Sequence, residues 1–162
     1  MRPVKKALIT HGHADHARPG HDRVLATPQT LGIMGVRYKD QYALKKAQAI
    51  EFGEKISVNG VEVSFHPAGH VLGSAQIKLV YKGRSIVLSG DYKRRSDPTC
   101  ISFEPVSCDV FVTEATFGLP VFRHPDTGEE IRKLLRSIET FPDRTHLIGC
   151  YPLGKTQRVL AE

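Results

Sequence analysis

The chain has no long apolar run, no low-complexity tract, no internal repeat and no linker-like stretch in its 162 residues. No window approaches the roughly 18 consecutive apolar residues that suggest a membrane-spanning helix. Met1-Arg2-Pro3-Val4 does not lead into a signal-peptide core. The expectation is a cytoplasmic chain without a membrane anchor. Cysteine is scarce: Cys100, Cys108 and Cys150 are an odd number without C-x-x-C spacing. That argues against a disulfide framework, and buried, inert thiols in a reducing compartment are expected. Acid is short relative to base, 17 Asp and Glu against 23 Lys and Arg, for a net charge of +6 and a pI near 9.3. That surplus favours polyanionic partners, nucleic acid first among them, though a merely solvated basic surface gives the same count. The length suits one domain with a real core and not comfortably two.

What the chain does have is a series of short apolar segments. Val4–Thr10 reads as a buried strand that ends where a run of histidines begins. Thr27–Ala49 reads as helix in two pieces, interrupted at Gly32 and Gly35. Asn59-Gly60 predicts a hairpin of Lys55–Val58 with the alternating Val61–His66. Ala75–Tyr81 and Ser85–Ser89 form a second hairpin around Lys82-Gly83-Arg84, and Asp109–Thr113 is a further apolar strand. Apolar residues at 131, 134, 135, 138 and 141 predict an amphipathic helix over Glu129–Phe141. His146–Gly149 reads as a last strand, with helical Lys155–Ala161 after it. Residues able to bind a metal or move a proton each sit just past a predicted strand, where loops most easily collect a site.

The densest such group is 11-HGHADH-16. Residues two apart in an extended segment point to one side, so His11 and His13 can reach one ion. Asp15 and His16 lie further along and can face a second. His70, in P-A-G-H-V-L-G-S-A, would complete three nitrogens around the first, and Asp91, in L-S-G-D-Y, has two oxygens with which to bridge. Imidazole favours zinc, with manganese the alternative, and a carboxylate compensates charge. Two divalent ions roughly 3.5–4 Å apart would activate a water and clamp a phosphodiester, with Asp15 taking the proton or orienting the nucleophile. Alone, His70 and Asp91 are ordinary turn residues, and the cluster raises both. His21, His66, His124 and His146 lack such neighbours, and surface or hydrogen-bonded structural roles are expected for them.

Residues 149-GCYPLGKT-156 fit G-x-x-x-x-G-K-[ST], the pattern of a phosphate-binding loop. Six residues follow Thr156, whereas such a domain needs further strands, one carrying a magnesium-holding acid. A plain strand-turn-helix connection is expected.

The order H-G-H-A-D-H, glycine-flanked His70, S-G-D-Y resembles three successive motifs of the metallo-β-lactamase superfamily. Glu114, in T-E-A-T-F-G, resembles the first acidic motif of its β-CASP branch, which acts on nucleic acids. T-H-G-H-A-D-H-A-R-P-G-H, P-A-G-H-V-L-G-S-A-Q, S-G-D-Y-K, D-P-T-C-I-S-F-E-P-V-S-C-D and T-F-G-L-P are similar to the bacterial ligase-associated DNA exonucleases, over nearly the whole chain. The resemblance implies an α/β fold of α+β type, the four-layer αββα sandwich. Residues 1–120 would be the metallo-β-lactamase-like domain, and 121–162 the start of a β-CASP cap. The chain would be truncated at the N-terminus and within the cap.

By carry-over, His11, His13 and His70 would hold the first ion, and Asp15, His16 and Asp91 the second, with Asp91 bridging. Glu114 would orient a further histidine or the phosphate. A final histidine on the second ion has no counterpart after His146. The implied activity is hydrolysis of DNA phosphodiesters in repair, alongside an ATP-dependent DNA ligase. Three alternatives stand beside it: a β-CASP ribonuclease, a small-ester hydrolase (which Glu114 and the basic charge argue against), and a catalytically incomplete metal- or nucleic-acid-binding module.

Overall fold

Residues 3–39 and 46–162 are described by the computed structural model. They divide into two compact units, Met1–Glu114 and Ala115–Glu162. In the first, strands β1 (Ala7–Leu8), β2 (Val24–Ala26) and β3 (Ala47–Ala49) form a parallel sheet in that order. The predicted Val4–Thr10 strand is laddered only at Ala7–Leu8, yet it stays tied to its neighbours. Ile9 N donates to Leu25 O, and Thr10 O accepts from Ala75 N.

Helix α1 (Pro28–Tyr38) follows β2 directly and packs on this sheet. Thr27 caps it by accepting from Thr30 N, and Pro28 occupies the first turn, where its missing N–H costs nothing. The expected interruption at Gly32 and Gly35 does not occur; the helix runs through both. Two glycines cost roughly 2 kcal/mol in helix propensity, and burial of Met34 against Ile9, Ala17, Val24 and Ala26 opposes that cost. The second expected helical piece is corrected where described: Ala47–Ala49 is strand β3, because pairing with β2 overrides the alanines' helix preference. The intervening 40–45 lie outside the described residues.

The second sheet has the order β4 (Lys55–Val58), β5 (Val61–Pro67), β6 (Ala75–Tyr81), β7 (Arg84–Leu88), β8 (Val110–Val112). It is antiparallel except for the β7–β8 pair. Both expected hairpins form, and their turns carry positive φ at two successive residues, Asn59 and Gly60, then Lys82 and Gly83. Alternation along β2 shows the layering. Val24 and Ala26 face α1, whereas Leu25 joins Ile50, Val63, Phe65, Ala75 and Ile77 between the two sheets. The outer face of the second sheet meets an irregular segment over 101–108. Gln76 Nε2 donates to Pro67 O and Glu104 O, Glu104 N to Pro67 O, and Lys78 Nζ to Ser107 O.

In the second unit, Asp126 caps helix α2 (Thr127–Thr140), and α3 (Lys155–Ala161) follows a turn. The strand expected at His146–Gly149 is not formed, since no ladder partner reaches it among the described residues and Leu147 is 92% exposed. A strand pattern without a partner leaves its backbone to solvent.

Candidate metal centre

The loops just past β1, β5, β7 and β8 carry His11, His70, Asp91 and Glu114. Helix α1 fixes the first two loops from its two ends. At its start, the Thr27 and Thr30 hydroxyls both donate to Gly73 O, at 2.7 and 3.1 Å. At its end, Tyr38 Oη donates to Ala17 O at 2.7 Å and Arg37 to Gly12 O. Within the loops, Ser74 Oγ accepts from His70 N and Val71 N, and Ser89 Oγ accepts from Glu114 N. None of these positioning residues stood out in the sequence. The T-P-x-T start of α1 was the available signal, since it announces an N-cap whose hydroxyls have a second use.

These loops bring His11, His13, His70 and Asp91 together, with one ligand-capable atom of each within 4.8 Å of the others. His13 Nδ1 lies 3.1 Å from His11 Nε2 and 3.2 Å from His70 Nε2. Asp91 Oδ2 lies 3.7 Å from both His11 Nε2 and His70 Nε2. Its other oxygen, Oδ1, faces His16 Nε2 at 3.5 Å, and His16 Nε2 is 3.6 Å from Asp15 Oδ2. The carboxylate of Asp91 thus divides two donor groups, and Asp15 at its outer edge is 74% exposed.

The donor set fits a metal ion on chemistry and spacing. A tetrahedral ion with bonds of roughly 2.0–2.2 Å separates its ligand atoms by roughly 3.3–3.6 Å; His11–His13, His13–His70, His11–Asp91 and His70–Asp91 stand 3.1 to 3.7 Å apart, and all four atoms lie within 4.8 Å of one another. Hydrogen bonding alone serves the cluster poorly. His13 Nδ1 has a single lone pair or a single proton, and two imidazole nitrogens converge on it. The far nitrogen of His11, Nδ1, lies 3.1 Å from Thr10 Oγ1, the kind of outer contact that fixes a ligand's tautomer. Thr10→Val keeps the volume and removes that contact. Zinc affinity is expected to fall roughly 10–100-fold, read by competition with a chromogenic chelator.

Burial, and after it the neighbouring His16, His70 and His13, push His11 down to about 2. Burial and His13 also lower His70, opposed by the carboxylates of Asp91 and Glu114. Both imidazoles are therefore neutral at physiological pH, the form in which imidazole can bind a metal. Unfolded, His11 takes up a proton below 6.5. Between about 2 and 6.5 the unfolded chain holds the extra proton, so stability falls as pH falls through that window. For the metal-free chain, lowering pH from 6.5 to 5.5 should remove about 1 kcal/mol through His11, measured as a lower urea midpoint.

The other histidines keep structural roles where contacts are described. His21 Nδ1 accepts from Val4 N, while His146 contacts Ser137 Oγ and Arg144 O. His124 stacks edge-on with Phe117. His66 stands 3.1 Å from Ser64 Oγ on one side and from Glu104 Oε1 on the other, the spacing of a Ser-His-acid relay. Ser64 is 3% exposed, so the arrangement ties the 101–108 segment to the sheet and presents no nucleophile. In the G-x-x-x-x-G-K-T stretch, Gly154 N donates to Gln157 Oε1, Thr156 Oγ1 to Tyr151 O, and Lys155 Nζ lies 5.5 Å from the Tyr151 ring centroid. Groups that would cradle a phosphate are taken up within the segment.

No protein-family model matches the chain. Among curated relatives, a probable DNA ligase of Opitutus terrae is 30% identical over 166 residues, covering 98% of this chain and 16% of the ligase. The endoribonuclease YSH1 of Gibberella zeae is 31% identical over 196 residues, covering 99% of this chain and 23% of that protein. The chain thus spans less than a quarter of either. Among solved structures, a protein of unknown function from Enterococcus faecalis shares the fold, with a TM-score of 0.69 at 15% identity, over 96% of this chain and 43% of the other. Both sequence relatives match nearly the whole of this chain, at 30% and 31% identity.

Proposed function

We propose that the chain carries the metal centre of a DNA-hydrolysing nuclease, of the type associated with an ATP-dependent ligase. The observation that carries this reading is the division of Asp91: one oxygen toward His11 and His70, the other toward His16. His11, His13 and His70 would hold a first divalent ion, and Asp15 and His16 a second, with Asp91 between them. When bound, such ions supply Lewis acidity and lower the pKa of water toward neutrality. Asp15, exposed beside His16, would accept the proton of the attacking water. Glu114, close enough to act on His70 electrostatically, would hold that imidazole or meet the phosphate. Residues 1–120 would be the metallo-β-lactamase-like domain, and residues 121–162 would belong to a β-CASP cap. A ligase relative supports DNA as the polymer, and the +6 charge suits a nucleic acid of either kind.

The test is incubation of the zinc-loaded chain with end-labelled single-stranded DNA and RNA of one sequence. Cleavage of DNA, abolished by chelation, supports the reading. Cleavage of RNA alone favours the ribonuclease reading, which the YSH1 relative supports. Zinc binding without cleavage of either makes this an incomplete module. Lys155→Ala should leave zinc content and cleavage unchanged, and ATP-dependent cleavage lost in that variant would revive the phosphate-loop reading.

A further inference from the structure

The segment leaving the metal centre after Asp91 is basic and pinned at successive points. Gly90, at φ +55, turns the chain out of β7. Tyr92 then packs against Phe103 and Phe111, with ring centroids 5.3 and 6.3 Å away. Lys93 N donates to Ala68 O, and Lys93 O lies against Gly69, immediately before His70. Lys93 Nζ pairs with Asp97, which is 5% exposed in its side chain and also accepts from Thr99 N and Oγ1. Arg94 and Arg95 come next, both exposed.

A plain reading makes Lys93–Asp97 a structural ion pair and the two arginines a solvated surface. Two features argue for more. Lys93 stands two residues after Asp91, and its backbone lies against Ala68 and Gly69, immediately before His70, so a cation is placed beside the cluster. The backbone at Lys93 is anchored through Ala68 O, which lowers the entropy lost on holding a ligand there. Three consecutive cations running from a metal centre to solvent match a polymer that carries one charge per unit. We propose that Lys93, Arg94 and Arg95 form a phosphate-binding track for a single-stranded polynucleotide, with Lys93 taking the phosphate nearest the metal centre. This rests on the nuclease reading and names the residues that hold its substrate.

The exposed arginines carry the test, since Lys93→Met would strand Asp97 in a buried place and could unfold the chain. The zinc-loaded chain and its Arg94→Ala/Arg95→Ala variant are titrated with a fluorescein-labelled, phosphorothioate-linked single-stranded oligodeoxynucleotide, by anisotropy across a salt series. Each single-strand phosphate contact adds about 0.7 to the slope of log K against log salt. Loss of two contacts should lower that slope by about 1.4 and weaken binding roughly 20-fold at 0.1 M salt, for proteins that converge near 1 M. Zinc content should not change. An oligonucleotide with an uncharged methylphosphonate backbone should bind both proteins alike. If the native chain binds and cleaves while the variant keeps its slope, the track is wrong and the nuclease reading stands. If the native chain binds neither oligonucleotide, both fall.

Discussion

His13→Ala should leave a folded chain without its first metal ion and lower DNA cleavage by at least roughly a thousandfold. Nδ1 of His13 is the atom on which His11 and His70 both converge, at 3.1 and 3.2 Å. Removing it opens the set to two nitrogens and one carboxylate oxygen. An ion's contribution to a phosphoryl transition state is several kcal/mol, and about 1.4 kcal/mol is tenfold in rate. His13 is half-buried and stands outside both hydrophobic clusters. The change should therefore cost little stability in the metal-free chain. Zinc content by mass spectrometry, a cleavage assay and a thermal melt read the three quantities. Full zinc occupancy in this variant would show that His13 is no ligand.

Gly69→Ala should be the most damaging small substitution near the centre. Gly69 sits at φ +69, and a Cβ there would stand 2.4 Å from Lys93 O and 2.8 Å from Phe103 N. Both neighbours are backbone, so neither can rotate away. The left-handed conformation costs a non-glycine residue roughly 1–2 kcal/mol, and overpacking typically adds 1–3. The thermal midpoint should fall by about 10 °C. Gly60→Ala is the comparison: φ is +82 there too, but nothing lies within 4 Å. It should carry the conformational cost alone, about 1–2 kcal/mol. Because Gly69 precedes His70 and abuts Lys93, its variant should also lose zinc affinity, which Gly60→Ala should not. Equal midpoints for the two variants would contradict the close approach.

The metal-ligand candidates could be read from the chain because their chemistry is local. Four ligand-type residues crowd His11–His16, and the glycines around His70 and before Asp91 mark turns that follow apolar strands. That Asp91 splits its oxygens between two histidine groups is a fact of register among loops, which no single stretch encodes. The hairpins were equally readable, since Asn59-Gly60 dictates its own turn. What escaped were elements made by distant partners. Strand β2 is three residues, Val24–Ala26, too short to show a period, and it exists because β1 and β3 flank it. Ala47–Ala49 is helix-prone locally and strand by pairing. His146–Gly149 failed in the opposite sense, apolar enough for a strand and left without a partner among the described residues. The glycines of α1 misled because the propensity penalty was visible and the burial of Met34 was not.

The proposal that this site hydrolyses phosphodiesters with two bound ions is tested most directly by titrating zinc into the demetallated chain while following cleavage of single-stranded DNA. Cleavage should be absent without metal and reach its plateau at two equivalents, the first bound through His11, His13 and His70 and the second through Asp15 and His16. Cleavage that persists in the demetallated chain, or a chain that takes up no zinc, would contradict it.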